Sequence, residues 1–306
     1  MTPLVDLTSK RGLILGVANE HSIAAGCAQA FAQCGARLAA TYLNEKAKPF
    51  VQPVADRLGV EWTAPCDVRE PGQLEALFAE TRRRWGGLDF LLHSIAFAPR
   101  DDLHGRVTDS SAAGFATAMD VSCHSFVRMA KLAEPLMSDG GTLLCVTFYG
   151  SERVVEHYNL MGPVKAALES ATRYLAAELG PKGIRAHAIS PGPIATRAAS
   201  GIDRFDELME RAAAQVRRDS WSISPTSAPW RRFWSAMRPG ASPARSFPST
   251  TASICAPNRQ TRAGGVGLTP EALIAWSPAP PRGAARQRGR RVVFTASPRE
   301  PRQPPD

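Results

Sequence analysis

Residues 12–24 read GLILGVANEHSIA, an apolar run that ends at Gly16, followed by a turn that leads to Ser22. The apolar run predicts a buried strand over 12–16, and serine is a residue type that begins helices, so we expect a helix over 22–34. A turn of this kind directs backbone N–H groups and the positive end of a helix toward one point, as pyrophosphate binding requires. Only one glycine of the usual three-glycine fingerprint is present, so an ordinary βα turn is the alternative.

Short apolar runs and helical patterns alternate through the following residues. Such alternation is typical of βαβ units and a parallel sheet, and the almost wholly apolar run at 88–96 is typical of a strand covered on both faces. The predicted strands are 12–16, 37–42, 60–63, 88–96, 141–146 and 184–189, and the predicted helices are 22–34, 47–58, 73–85, 112–137 and 158–179. The predicted fold class is α/β, with a single Rossmann-type, doubly wound parallel sheet in residues 1–215.

Residues 158–165 read YNLMGPVK and precede a strongly helical run. Tyr158 and Lys165 are seven residues apart, which would place them two turns apart on one face of a helix. A lysine ammonium near a phenol favours phenolate character, so the pair predicts an acid catalyst and its charged neighbour. The alternative is a helix that carries both side chains on a solvated face.

The net charge of +9 is unevenly distributed along the 306 residues. Residues 216–306 carry 15 Arg, no Lys and 4 acidic residues, a net charge of +11, which leaves −2 for residues 1–215. The first part therefore has an ordinary charge balance that indicates neither a nucleic-acid nor a membrane partner. Six scattered cysteines without paired metal spacing indicate reduced thiols and no metal site. The start of the chain lacks the pattern of a signal peptide, so we expect a cytoplasmic protein.

Five motifs in this order resemble those of the enoyl-acyl-carrier-protein reductases, a bacterial branch of the short-chain dehydrogenase superfamily. The resemblance covers roughly residues 8–215, and the motifs are 16–24, 66–68 (CDV), 93–98 (HSIAFA), 158–165 and 190–202. Six residues separate Tyr158 from Lys165, whereas the similar motif of carbonyl-reducing relatives has three residues between the tyrosine and the lysine. The spacing therefore favours the enoyl-reductase branch.

The resemblance implies a role for individual residues around a bound dinucleotide. They are Gly16, Ser22 and Ile23 at the pyrophosphate, Leu43 at the adenosine ribose, Asp67 and Val68 at the adenine, Ser94 and Ile95 at the nicotinamide side, Lys165 at the ribose hydroxyls, Ile194 at the carboxamide and Ala98 beside the acyl chain. Ile23, Val68, Ile95 and Ile194 could instead be core side chains, and Asp67 a solvated loop residue.

The sequence departs from the family pattern at two positions. Phe148 stands where the family usually carries a second tyrosine, and phenylalanine cannot donate a hydrogen bond. Leu43 stands where related reductases often carry glutamine. With Glu45 nearby and no arginine directly after the strand, NADH is favoured over NADPH, although Lys46 keeps NADPH open.

The activity that the resemblance implies is reduction of the trans-2 double bond of enoyl-acyl-carrier-protein thioesters by hydride from NADH, in fatty-acid synthesis. Tyr158 would donate a hydrogen bond to the enolate oxygen, Lys165 would orient cofactor and phenol, and 194–202 would form a mobile lid. Acyl carrier protein would be the partner, and an in-frame version of the chain would form a homotetramer.

Residues 216–306 have a different composition, with 14 of the 25 prolines and four of the six tryptophans. In the neighbouring reading frame, permitted codons for 219–254 encode a helix, a turn and a strand similar to the family's usual ending. We therefore expect a frameshift near 214–218 that replaces the final helix and strand with a disordered tail and leaves the sixth strand as an exposed edge. The alternatives are an inactive or unstable frameshifted product, another short-chain dehydrogenase, or a nucleic-acid binder acting through the arginines of 282–291.

Overall fold

The strands all run parallel and form one sheet. The computed structural model describes residues 6–191, Thr196, Glu207 and the backbone of Ala252–Ile254, all within one compact unit. The strands are β1 (Arg11–Leu15), β2 (Arg37–Tyr42), β3 (Trp62–Pro65), β4 (Phe90–His93), β5 (Gly141–Val146), β6 (Ile184–Pro191) and β7 (Ala252–Ile254). Their order in the sheet is β3-β2-β1-β4-β5-β6-β7. The chain therefore winds outward in both directions from the β1/β4 pair, and the predicted doubly wound sheet is confirmed.

Helices connect the successive strands from β1 to β6. They are α1 (Ile23–Gln33), α2 (Lys48–Leu58), α3 (Gln73–Trp85), α4 (Arg100–Leu103), α5 (Ala112–Met119), α6 (Ser125–Ala133) and α7 (Met161–Leu179), with a π turn at Asp120–His124 between α5 and α6. None of the helices in the described ranges combines the length and hydropathy that a bilayer-spanning segment needs.

The core consists of two clusters, one on each face of the sheet. Neighbouring strand residues alternate between them: Leu91 and Leu143 pack in the larger cluster, whereas Leu92 and Leu144 pack in the other, and all four are fully buried. Side chains alternate across a strand, so a strand buried on both faces must be apolar at every position. This explains the continuous apolar runs in the sequence.

Several predicted boundaries match the structure to the residue, and others shift for identifiable reasons. The strands 37–42 and 141–146 and the helix 73–85 are confirmed. The third strand begins at Trp62 rather than at residue 60, because the N–H of Val60 donates to the carbonyl of Ala55 at the end of α2. The predicted helix 112–137 is interrupted by the π turn.

The helix predicted over 158–179 begins three residues later, at Met161. His157 and Asn159 have positive φ angles of 64° and 40°. Left-handed residues cannot continue an α-helix, so Tyr158 lies in a turn before α7. The prediction that Tyr158 and Lys165 share one helix face is therefore wrong.

β7 adds a seventh strand beside β6, with Ile189 opposite Ala252 and Pro191 opposite Ile254. The expectation that β6 is an exposed edge is therefore wrong. The open edge of a strand presents backbone donors and acceptors that another extended segment can satisfy whatever its side chains. Two predicted features lie outside the described residues. One is the lid at 194–202, including Ile194, of which only Thr196 is described, and the other is the tail at 216–306, of which only β7 is described.

Candidate active site

The carboxyl ends of β1 and β4 meet at the point where the strand order reverses. Gly16 follows β1 with a φ angle of 100°, and a Cβ atom there would lie 2.0 Å from the carbonyl oxygen of Ser94. The N–H of Ser94 donates to the carbonyl of Leu15 at 3.0 Å. Both the φ angle and the close approach to Ser94 require glycine at position 16. The glycine therefore lets the backbone after β1 approach the backbone after β4 closely at this point.

The turn after Gly16 leads into the N-terminus of α1, where Ser22 is the capping residue. Its hydroxyl donates to the carbonyl of Asn19 at 2.7 Å and accepts from the N–H of Ala25 at 3.3 Å. In the described part of the chain, nothing accepts a hydrogen bond from the N–H groups of Ile23 and Ala24. Amides of this kind at a helix N-terminus bind anions. The predicted pyrophosphate site has the required donors.

The end of β2 carries an exposed leucine beside a network of charged side chains. Leu43 is 49% exposed. The hydroxyl of Tyr42 donates to Glu45 Oε1 at 3.0 Å, and the ammonium of Lys48 lies 5.5 Å from the centroid of the Tyr42 ring. Glu45 is thereby held close to the strand end.

The end of β3 carries an ion pair that the sequence motifs did not indicate. The guanidinium of Arg69 donates to both carboxylate oxygens of Asp67, at 3.0 Å from Nε and 2.6 Å from Nη2. These hydrogen bonds hold the pKa of Asp67 below its ordinary value. Val68, between them, is buried in the larger core cluster, as its core alternative predicted. The spacing of Asp67 and Arg69 in the sequence could have suggested the pair.

The loop after β4 is fixed by the π turn. The N–H of Phe97 donates to Ser122 Oγ at 2.9 Å, and the Ser122 hydroxyl donates back to the Phe97 carbonyl at 3.0 Å. Ile95 and Ala98 are partly buried against the larger core cluster. A π turn often occurs at a functional site, and here it positions the loop that carries both predicted contact residues.

Tyr158 is almost completely enclosed, with 7% of its surface exposed. Its ring lies 4.7 Å from that of Phe148, measured between centroids, at an interplanar angle of 56°. Burial raises the pKa of the Tyr158 phenol, so it stays protonated at neutral pH. None of the residues in the described ranges forms a hydrogen bond with its hydroxyl. The side chain is therefore a neutral hydrogen-bond donor. Burial favours the protonated phenol over the phenolate character that the sequence suggested.

Lys165 lies on α7 and is 4% exposed. Its ammonium donates to the carbonyl of Val146, the last residue of β5, at 2.7 Å. Burial lowers the pKa of Lys165 to about 8, so the ammonium form still predominates at neutral pH. Within the described ranges this is the one hydrogen bond that the ammonium donates, which leaves two of its three hydrogens for a ligand.

His93, at the end of β4, is a buried group that the sequence analysis did not single out. Its Nε2 lies 2.8 Å from Ser125 Oγ, and the Ser125 hydroxyl donates to the carbonyl of Val121 at 2.7 Å. Because the serine hydrogen is used there, the imidazole donates through Nε2, and no partner for Nδ1 is found within the described ranges. Burial and the charge of Lys165 lower the pKa of His93 to about 3.

The fold and the site together define a class of protein. A doubly wound sheet, a glycine turn at its switch point, and a tyrosine and lysine at the carboxyl edge are the marks of a short-chain dehydrogenase or reductase. Among the described residues, no group of three or more His, Cys, Asp or Glu could hold a metal ion.

Comparisons with known proteins narrow this class to one family. Residues 16–223 match the family model described as "Enoyl-(Acyl carrier protein) reductase". The chain is 47% identical over 204 residues to enoyl-[acyl-carrier-protein] reductase [NADH] 1 of Rhizobium meliloti. The aligned region covers 67% of this chain and 75% of that one. It is 44% identical over 215 residues to the enoyl-[acyl-carrier-protein] reductase [NADH] FabI of Salmonella typhimurium, with coverages of 69% and 82%.

Solved structures of the same kind superpose on the sheet. The enoyl-(acyl-carrier-protein) reductase of Anaplasma phagocytophilum in complex with NAD gives a TM-score of 0.66 at 45% identity, covering 69% of this chain and 81% of that one. The Bacillus cereus reductase with NADP+ and indole naphthyridinone gives 0.67 at 39% identity, with coverages of 69% and 83%. The chain belongs to the enoyl-(acyl carrier protein) reductase family, and the family predicted from the five motifs is confirmed.

Proposed function

We propose that this protein reduces the trans-2 double bond of enoyl-acyl-carrier-protein thioesters by hydride transfer from NADH in fatty-acid synthesis. The observation that carries the proposal is the enclosed, protonated phenol of Tyr158 followed, after six residues, by the buried ammonium of Lys165. The names of the relatives, which are NADH enoyl reductases, support it.

The residues at the sheet's switch point fit a dinucleotide. Gly16 lets the turn pass close to the end of β4, and the N–H groups of Ile23 and Ala24 at the start of α1, which have no acceptor among the described residues, are suited to an anion. We assign the pyrophosphate to Gly16, Ser22 and Ile23, the nicotinamide side to Ser94 and Ile95, and the ribose hydroxyls to Lys165. Ile194 would contact the carboxamide. When bound, the cofactor supplies the hydride that adds to the β-carbon of the substrate.

The adenosine end would rest on the ends of β2 and β3. Asp67 Oδ2 accepts one hydrogen bond from Arg69 and has a lone pair left for the adenine amino group, whereas Val68 contributes only its backbone. Leu43 would contact the ribose. Glu45, held by Tyr42, disfavours a 2′-phosphate by charge repulsion, which supports NADH over NADPH. NADPH is the alternative cofactor, since the Bacillus cereus relative was solved with NADP+.

The residues around Tyr158 would stabilise the charge that develops during the reaction. Hydride addition to the β-carbon would move negative charge to the thioester oxygen, and a neutral phenol in an enclosed site would donate a strong hydrogen bond to that oxygen. A proton taken up from the medium would then add to the α-carbon and complete the reduction. The charge of Lys165 stabilises the same region and fixes the ribose. Phe148 and Ala98 would border the acyl chain, which leaves one phenol rather than two at the reacting oxygen.

The partner in this reaction would be acyl carrier protein bearing the enoyl thioester. We further propose a cytoplasmic location and, for an in-frame version of the chain, a homotetramer. Size-exclusion chromatography with light scattering on the frame-restored protein tests the assembly, and a monomeric mass would contradict it.

The activity is tested by following NADH absorbance with a crotonyl thioester, alongside an acetoacetyl thioester as the substrate of a carbonyl reductase. We expect NADH consumption with the crotonyl substrate alone, and its near loss in Tyr158→Phe. Consumption with only the acetoacetyl substrate would indicate another short-chain dehydrogenase. Undiminished turnover in Tyr158→Phe would contradict the role of the phenol.

We also propose that residues 216–306 are an out-of-frame tail after a reductase domain of residues 1–215. In support, the family match ends at residue 223, and the alignment with the Rhizobium meliloti relative covers 75% of that protein. Resequencing codons 210–220 tests the reading frame. A protein whose frame is restored after Gln215 should have higher activity and a higher melting temperature than the chain of 306 residues. Equal activity and stability of the two forms would contradict the frameshift.

A further inference from the structure

A buried carboxylate on α7 joins the two ends of the segment that follows β5. Glu169 lies one helical turn after Lys165 and is 6% exposed. Its Oε1 accepts a hydrogen bond from the hydroxyl of Thr147 at 2.7 Å and another from the hydroxyl of Ser151. Burying a carboxylate is costly unless hydrogen bonds compensate it, so its presence here requires both hydroxyls.

The segment between these two hydroxyls, residues 147–151, encloses Tyr158. The ring of Phe148 packs on the Tyr158 ring, with centroids 4.7 Å apart. Gly150 lies so close that a Cβ atom there would be 2.4 Å from Tyr158 Cδ1. Both contacts come from the interior of the segment, and Glu169 holds its two ends. The position of the segment therefore determines the space available to the phenol.

The same helix also holds the other reactive group. Lys165 donates to Val146, the residue directly before the segment, while Glu169 accepts from Thr147. A Cβ atom at Gly162 in the first turn of α7 would lie 3.3 Å from the Gly150 carbonyl oxygen, so the segment also rests closely on the helix. One rigid element thus fixes both the ammonium and the wall around the phenol.

We infer that Glu169 is a positioning residue for Tyr158, acting through the segment 147–151. This inference rests on the proposed function only in treating Tyr158 as the catalytic donor. The prediction is that removing the carboxylate releases the segment, admits water to the phenol and misplaces its hydroxyl, although Glu169 is not among the residues assigned to cofactor or substrate. Misplacement of a reacting group by about 1 Å can lower turnover by roughly 100-fold.

The test uses Glu169→Ala and Glu169→Gln, with Glu178→Ala as a matched control at an exposed position of α7. The full-length protein is labelled with ¹³C at the tyrosine ζ-carbon, and the Tyr158 resonance is assigned by its loss in Tyr158→Phe. We expect Glu169→Ala to shift this resonance and lower the pKa of the phenol, because burial is what raises it. Glu169→Gln, which keeps an acceptor oxygen, should largely restore both, and Glu178→Ala should change neither.

A structural role alone would lower the melting temperature and leave the Tyr158 resonance in place, and that result would overturn the inference. If Glu169→Ala does not fold, Thr147→Val and Ser151→Ala each remove one donor and should produce the same shift with smaller amplitude; no shift in either would also overturn it. Because the resonance is read without substrate, the inference and the proposed activity fail separately. Where activity is present, turnover should fall about 10-fold to 100-fold in Glu169→Ala with NADH affinity retained.

Discussion

The two halves of the sheet's carboxyl edge use charged groups in opposite ways. On the half formed by β3 and β2, the charges are near solvent and paired with one another, as in Asp67 with Arg69 and Glu45 with Lys48. On the half formed by β4, β5 and α7, the titratable groups His93, Tyr158 and Lys165 are buried, and burial is the main cause of their shifted pKa values.

The difference indicates a division of labour. Solvent-exposed ion pairs contribute little to stability, typically about 0–1 kcal/mol, and they suit recognition of a polar, hydrated group such as adenosine. Buried groups interact far more strongly because the surroundings do not screen them. Chemistry should therefore depend on the buried half, and recognition on the exposed half.

The largest expected effect is that of Tyr158→Phe, which removes the proposed donor to the developing oxyanion. Turnover should fall by about 10² to 10³ with NADH affinity almost unchanged, because the phenol acts mainly on the transition state. Lys165→Ala should lower both turnover and affinity, since we assign the ribose hydroxyls of the cofactor to this ammonium. Steady-state kinetics and NADH fluorescence titration measure the two quantities. An equal loss of NADH affinity in the two variants would refute the division of roles.

The next effect is that of Gly16→Ala, at the boundary between the two halves. Its Cβ would lie 2.0 Å from the Ser94 carbonyl, and its φ angle of 100° disfavours any side chain. We expect NADH binding to be lost and stability to fall by roughly 1–3 kcal/mol. Gly72→Ala is the matched control, because φ there is 83° with no atom within 4 Å of the added Cβ. The control should lose some stability and keep NADH affinity, and equal binding loss in both would contradict the close-approach account.

His93 should make the buried half sensitive to acid. Its pKa is lowered to about 3 in the fold, so between pH 6.5 and 3 the unfolded chain binds a proton that the folded chain does not, and stability decreases as the pH falls. The slope is about 1.4 kcal/mol per pH unit. His187, with its pKa lowered to about 4, acts in the same direction.

Urea unfolding of the wild type and His93→Gln at several pH values between 4 and 7 measures this slope. The variant should show a shallower decrease below pH 6.5, with the remainder due to His187. A wild-type slope in His93→Gln would show that His93 is not held neutral.

The smallest expected effect in the buried half is that of Phe148→Tyr. Phe148 packs on Tyr158, and its ring is only partly buried, so an added hydroxyl can be accommodated. Turnover should be retained while the preference among acyl chain lengths shifts, which kinetics with thioesters of increasing length would measure. An unchanged preference would show that residue 148 does not line the acyl pocket.

The sequence was sufficient to predict the sheet, but not the arrangement of the buried groups at the ends of β4, β5 and α7. Gly35, Gly59 and Gly86 punctuate the elements, and continuous apolar runs mark strands covered on both faces, so the sheet was predictable. The left-handed residues His157 and Asn159 carry a much weaker signal, because His and Asn adopt positive φ angles more often than most residues but far less often than glycine.

Residues that act through distant partners were also beyond the sequence patterns. His93 bonds to Ser125, 32 positions away, and Glu169 to Thr147, 22 positions away. In the sequence both look like ordinary members of a strand end and a helix. Only the fold shows that they are buried and which hydroxyls satisfy them.

The central claim is most directly tested by measuring turnover at saturating NADH and NADH affinity for Tyr158→Phe and Asp67→Asn side by side. Asp67→Asn should weaken NADH binding modestly, by a factor that corresponds to about 1 kcal/mol or less, and leave saturated turnover intact. Tyr158→Phe should do the reverse. Loss of saturated turnover in Asp67→Asn comparable to that in Tyr158→Phe would contradict the assignment of chemistry to the buried half.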